Sequence, residues 1–458
     1  MDTLSKPNPL DPLHDIVLLD GRFSGATTAG DLAKAFDNFR EQGPSGHLCV
    51  FFHGGLVSQA DGLNTAASLI KGYTDSGAYP FFFIWNSGLL TTIRELLQPH
   101  HDNPAFVRAA NHAVKYVSAK IAAELDTDRS LELHRKATRA RKAGPLSLEE
   151  LEQYAERFDR AWARHTGVQL SCSSGELDRF AKWLTSLEKS APARRRLFRV
   201  KKWKGSKNPL ARIIHRFNTG HAHGLYTTVI EELFIAAQVN EFVGEKIWGE
   251  MKKFIDDSFA ADSMAGGTAF LNHLCEIWRK TPGLRVTLIG HSAGAIYVQR
   301  FIEALDARLP ASSTHQVEVV LLAAAMTFER MNAGVASLRK RVSALRVFGL
   351  SDKTEGSYWE VPGVYNKSLL YIVSSLCESD PDADQPLVGM QRYWAGKPPY
   401  LAPDISAITT LIEPVRAVWA PTASDAKPGY QSHAKKHGCV PEDPDTNRSV
   451  CFTLRNGF

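Results

Sequence analysis

An α/β fold built on a mostly parallel sheet is what this sequence predicts, and three observations predict it. Short, nearly continuous apolar runs stand towards both ends of the chain, as strands buried on both faces of a parallel sheet require. Helical periodicity lies between those runs, and alternation of the two is the pattern of α/β proteins. A long central block carries helical periodicity and charge with no convincing strand, so a helical insertion, a cap or lid, is expected within the sheet domain.

The early strands are HLCVFF (47–52) and YPFFFIW (79–85). The late ones are RVTLI (285–289), QVEVVLL (316–322), ALRVFGL (344–350) and VRAVWA (415–420). QADGLNTAASLIKGY follows the first run as a helix, AIYVQRFIEAL follows RVTLI, and ERMNAGVASLRKRV precedes ALRVFGL. In the central block Ser147 and Glu150 stand at capping-box spacing and open the helix SLEELEQYAERFDRAW. VIEELFIAAQVNEFVGEKIWGEMKKFI reads as one long amphipathic helix. The expected division is residues 1–92 as the first part of the core, 93–265 as the helical insertion and 266–458 as the second part.

Composition narrows the class. With 44% hydrophobic and 22% charged residues, 458 residues can build a large core without a disulfide framework. A net charge of +5, from 54 basic and 49 acidic residues, is too mild to imply nucleic acid. The six cysteines show neither CxxC nor Cys/His metal spacing, which fits a reducing compartment and no metal site. The opening MDTLSKPNPLDPLHD lacks the basic start and apolar core of a signal peptide, and no apolar run approaches the roughly 20 residues of a membrane span. A cytoplasmic protein is expected. One segment departs from the mild average: Lys189 to Arg216 holds eleven Lys and Arg and no acid, with Leu197, Phe198, Trp203 and Ile213 interleaved. It reads either as a solvated loop or as a site for an anionic membrane surface or an acidic partner.

The chemistry gathers around LRVTLIGHSAGAIYVQRF (284–301). Gly290-His291-Ser292-Ala293-Gly294 fits G-x-S-x-G, and it joins an apolar strand to an amphipathic helix. Small residues two before and two after a serine let strand and helix approach closely, and the helix aims its N–H groups at developing negative charge. Ser292 is therefore the expected nucleophile. The backbone N–H of Ala293 is one expected oxyanion donor, and the loop Gly54–Gly55 in CVFFHGGLVSQ supplies the other. His53, beside that loop, is expected to be structural. The triad acid should follow the strand ending in RVFGL, where Asp352 stands, with Glu355 as its alternate. The base should lie beyond the last strand, where His437 leads into a turn and helix and His433 is its alternate. The chain order Ser292, Asp352, His437 is one of the recurrent orders of this triad.

These features together resemble the α/β-hydrolase superfamily, in its serine esterase and lipase-like branch. FFHGGLVS, YPFFFIWNSGLL, IWGEMK, LIGHSAG, SLLYIVSSLCE with PLVGM, and HGCVPEDPDTNRSV are similar to segments of a poorly characterised group of bacterial hydrolases. That group typically reads H-G-G-F-D in the last segment. His437-Gly438 matches it, and Cys439, Val440 and Pro441 depart. The resemblance implies an α/β-hydrolase fold and a serine hydrolase acting on esters by way of an acyl-enzyme, without a cofactor or metal. A phospholipase, a thioesterase, a peptidase and a non-catalytic hydrolase-fold scaffold stay open at this point, because one scaffold hosts many chemistries.

Overall fold

The computed structural model describes residues 8–24, 26–42, 46–55, 58–85, 89–125, 145–164, 169–190, 208–378, 384–413 and 416–458. They form two compact units. One comprises residues 1–91, 248–356 and 386–458, and the other 92–247 and 357–385.

The first unit carries an eight-stranded sheet: β1 (Asp15–Leu19), β2 (Arg22–Phe23), β3 (His47–Phe52), β4 (Tyr79–Trp85), β5 (Arg285–His291), β6 (Val317–Leu322), β7 (Val342–Leu350) and β8 (Ala417–Ala420). Its order is β2-β1-β4-β3-β5-β6-β7-β8, and only the β1–β2 pair is antiparallel. All six residues of β3 and all seven of β4 are buried, as helices on both faces of a parallel sheet require. The packing between sheet and helices is aromatic. Phe52 stacks on Tyr297 with ring centres 4.6 Å apart, and Phe270 meets Phe81 edge-on at 5.2 Å. Each fully buried ring removes enough apolar surface to contribute about 1.5–3 kcal/mol.

This order positions a site. From β3 the chain steps to β4 on one side, and β5 lies on the other side and leads on to β6, β7 and β8. The order reverses between β3 and β5, and a crevice opens at the carboxyl ends of strands where this happens. The segments leaving those two ends are His53-Gly54-Gly55 and Ser292.

Two expectations need correction, and one element lies outside them. The β1–β2 hairpin was not foreseen; DIVLL is a short run closed by Asp20 and Gly21, both at positive φ. The long candidate helix breaks: Leu225–Ala236 is one helix, Gln238 takes φ 59°, and Gly249–Asp257 is another. The helical block also has other limits than 93–265. The stretch 248–265 belongs with the sheet because Phe254 packs on Trp85 and Asp256 pairs with Arg300 at 3.0 Å. Conversely, 357–385 belongs with the helices, where Tyr365 donates to Glu231 at 2.6 Å and Tyr226 donates to the Val364 carbonyl at 2.9 Å.

The second unit is helical, and no strand occurs among its described residues. Ser147 and Glu150 form the expected capping box on Leu148–Trp162. Its interior holds an ion-pair network. Arg216 meets Glu231 at 2.7 Å and Glu232 at 3.3 Å, and Arg212 also pairs with Glu232. His223 lies between Glu231 and Asp384, 2.9 Å from each. Arg212 and Arg216, the last two cations of the basic segment, are thus directed at internal carboxylates. Most of the rest, 191–207, lies outside the described residues. Among those residues no helix is long and apolar enough to cross a membrane.

Burial by itself pushes the Glu231 carboxyl up, but His223 and Arg216 outweigh it and hold it down at about 2, against an ordinary 4.5. A depressed carboxyl stabilises the fold above the unfolded value, and that stability is lost as pH falls from about 4.5 through about 2. An acid titration followed by hydrogen exchange in Leu225–Ala236 is expected to show the loss in that window. Glu231→Gln should flatten this dependence and lower stability at neutral pH by about 3 kcal/mol, because it leaves buried cations short of a partner.

Candidate active site

The strand β5 turns directly into the helix Gly294–Arg308, and Ser292 sits at the turn with φ 54°. For a residue with a side chain this conformation costs on the order of 1–3 kcal/mol, so the surroundings must impose it. They do so by hydrogen bonds. The Ser292 N–H donates to the Leu322 carbonyl at 2.9 Å, and its own carbonyl accepts from Ala325 at 3.0 Å and Ala295 at 3.1 Å. The flanking glycines are steric requirements. A Cβ on Gly290 would lie 2.6 Å from the Gly294 carbonyl oxygen, and one on Gly294 would run into that of Phe52.

Of the two histidines proposed as base, the structure brings one to the serine. Nε2 of His437 lies 2.9 Å from Ser292 Oγ, with the ring buried. His433 instead turns to Asp445, 2.7 Å from Nδ1, with 44% of its side chain exposed. The loop that carries them is pinned from both sides. Thr422 N–H donates to the Ser432 carbonyl at 2.9 Å, and Asp443 caps the helix Pro444–Asn456 while accepting the His433 N–H at 3.0 Å. Burial, with His291 adding to it, pushes the His437 pKa well below 6.5. The ring is therefore neutral at neutral pH and can accept the serine proton.

The glycine loop after β3 lies against the turn. A Cβ on Gly54 would stand 3.1 Å from both His291 Nδ1 and Ser292 Cβ. One on Gly55 would stand 2.9 Å from the Ala293 Cβ and would strike the Met251 sulfur. His53 fixes the loop's orientation. Its Nε2 accepts from the Trp85 N–H at 3.0 Å, so Nδ1 bears the proton and donates to the Gly54 carbonyl at 2.6 Å. The C=O and the next N–H of a trans peptide point opposite ways, so the Gly55 N–H is turned away from His53. Burial holds the His53 pKa at about 4, and the ring stacks on Trp85 at 4.2 Å.

The candidate acids share one short helix, Asp352–Glu355, capped by Ser351. Ser351 N–H donates to the Ala420 carbonyl at 2.8 Å, which ties this helix to the end of β8, from which the histidine loop departs. Asp352 is exposed and its N–H donates to Gln391 at 3.0 Å. Glu355 is 0% exposed, and both its carboxylate oxygens are shut off from solvent, as is Nδ1 of His437.

Two further groups at the site were not singled out in the sequence. His291 donates from Nε2 to the His437 carbonyl at 3.2 Å, and Met251 covers Gly55. The histidine stood in plain view inside the pentapeptide, but its partner lies 146 residues away.

Among the described residues no group of three or more His, Cys, Asp or Glu is arranged to hold a metal ion. A groove of about 760 Å³ lies elsewhere, between the segments that lead into β5 and β6, and includes Arg279 and Arg308. Arg308 donates to the Ala304 carbonyl and to Thr268, and Arg279 to the Cys275 carbonyl, so these cations serve the C-terminal turns of their own helices. No family model, no curated protein and no solved structure matches this chain.

Proposed function

We propose that this chain is a serine hydrolase with the α/β-hydrolase architecture, and that it cleaves carboxylic esters through a covalent acyl-enzyme. The observation that carries the proposal is a buried His437 with Nε2 2.9 Å from the hydroxyl of Ser292, a residue held at positive φ between a strand and a helix. His437 takes the Ser292 proton as Oγ attacks the ester carbonyl. The N–H groups of Ala293 and of the Gly54–Gly55 loop receive the oxyanion, and the N-terminus of Gly294–Arg308 adds its dipole. His437 then protonates the departing alcohol, and water repeats the two steps to release the acid. We assign the acid that orients His437 to Glu355 and not Asp352, since Glu355 is the carboxylate of that helix turned to the interior.

A fluorophosphonate probe is expected to label the protein, with mass spectrometry locating the adduct on Ser292. p-Nitrophenyl esters of increasing chain length are expected to be turned over and to rank its acyl preference. A wild-type protein that neither labels nor turns over any of them would be a hydrolase-fold scaffold instead.

A further inference from the structure

His291 touches both loops that the proposed reaction uses. Its ring is buried, 7% exposed, at the end of β5 immediately before Ser292. On one side Nε2–H donates to the main-chain carbonyl of His437 at 3.2 Å, with the two rings 5.3 Å apart. On the other side Nδ1 lies against Gly54, where a Cβ would come within 3.1 Å of it. The backbone of His291 is fixed independently, because it pairs with Leu322 in the β5–β6 ladder.

We infer that His291 is a positioning residue: its Nε2–H sets the main chain of His437, and so the reach of that imidazole to Ser292 Oγ, while its Nδ1 edge seats the Gly54 loop against the nucleophile. This rests on the serine hydrolase reading above. His437 opens a turn of three residues, His437–Cys439, in which its carbonyl accepts the Val440 N–H at 3.3 Å, and His291 is the partner that fixes the same carbonyl from outside the turn. The ladder beneath His291 gives that carbonyl a rigid reference. A displacement of about 1 Å between nucleophile and base lowers the rate by around a hundredfold, so one hydrogen bond of this kind can govern turnover without touching substrate. The donor is neutral at working pH: burial pushes the His291 pKa down to about 4. It therefore places no second charge beside His437 when that ring takes up the serine proton.

The test compares His291→Gln, whose amide nitrogen can occupy the place of Nε2, with His291→Leu, which keeps bulk and loses the donor. Steady-state hydrolysis of a p-nitrophenyl ester is read together with the pH profile of kcat/KM and the melting temperature. Leu is expected to lower kcat by about 10- to 100-fold with KM within about twofold, and Gln to restore kcat to within about fivefold of wild type. If His291→Leu does not fold, His291→Asn, polar but too short to reach the His437 carbonyl, takes its place. Equal losses in the Gln and the Leu or Asn variants, or no loss in any, would overturn the positioning role while leaving the hydrolase reading intact. A wild-type protein inert to both ester and fluorophosphonate would remove the reading itself.

Discussion

Ser292→Ala is expected to lower kcat for an activated ester by about 10⁴- to 10⁶-fold, with the melting temperature unchanged within about 2 °C. The size of the effect follows from what the hydroxyl does. Without it no acyl-enzyme forms, and only the oxyanion donors and substrate binding remain to accelerate attack by water. Retention of the fold follows from what alanine keeps. The backbone bonds from Ser292 to Leu322, Ala295 and Ala325 are main-chain bonds, and alanine occupies the same φ of 54° with a Cβ of the same size. His437→Ala should give a loss of similar order, because nucleophile and base act as one unit and their effects do not add. His433→Ala should change little, since that ring is half exposed and bound to Asp445. Steady-state kinetics beside thermal melts decide the matter. A Ser292→Ala protein with even a tenth of wild-type turnover would end the assignment.

What could be read from the sequence, and what could not, divides on physical grounds. β3 and β4 were legible because both faces of each are buried, which forces an unbroken apolar run. The turn at Ser292 was legible because close approach of strand and helix excludes side chains at Gly290 and Gly294, leaving a local mark. The limits of the helical unit were not. Helix Gly249–Asp257 has the periodicity of its neighbours, and only tertiary partners such as Trp85 and Arg300 assign it to the sheet. The sequence favoured His437, which leads directly into the turn and helix, over His433, but both precede the same helix and only the fold shows which ring turns inward. The ion-pair network around Glu231 was hidden for a similar reason. Arg212 and Arg216 belong by sequence to a basic run read as either a solvated loop or an anionic-surface site, and their partners lie on the next helix.

The choice of acid, Asp352 expected from the sequence and Glu355 proposed from its burial, carries the second large effect. Glu355→Gln is expected to lower kcat by about 10³- to 10⁴-fold, and Asp352→Asn by less than about twofold. Residues three apart fall short of a full helical turn, so they differ in angle about the axis as well as in position along it. Asp352, beside the cap, stays in solvent, whereas Glu355, three residues on, is carried into the interior. A carboxylate shut off from water is costly to keep charged unless donors or a cation face it. In the proposed mechanism His437 becomes a cation during turnover, when the ring takes the serine proton, so its interaction with Glu355 is strongest in the transition state and acts on kcat. An exposed Asp352 in high dielectric could offer little of this. Gln keeps the shape of Glu355 and removes its charge, so kcat should fall with KM and melting temperature nearly unchanged. The reverse pattern, a disabled Asp352→Asn beside an active Glu355→Gln, would return the role to Asp352. It would also require the helix Asp352–Glu355 to turn by most of a residue's step about its axis in the working enzyme.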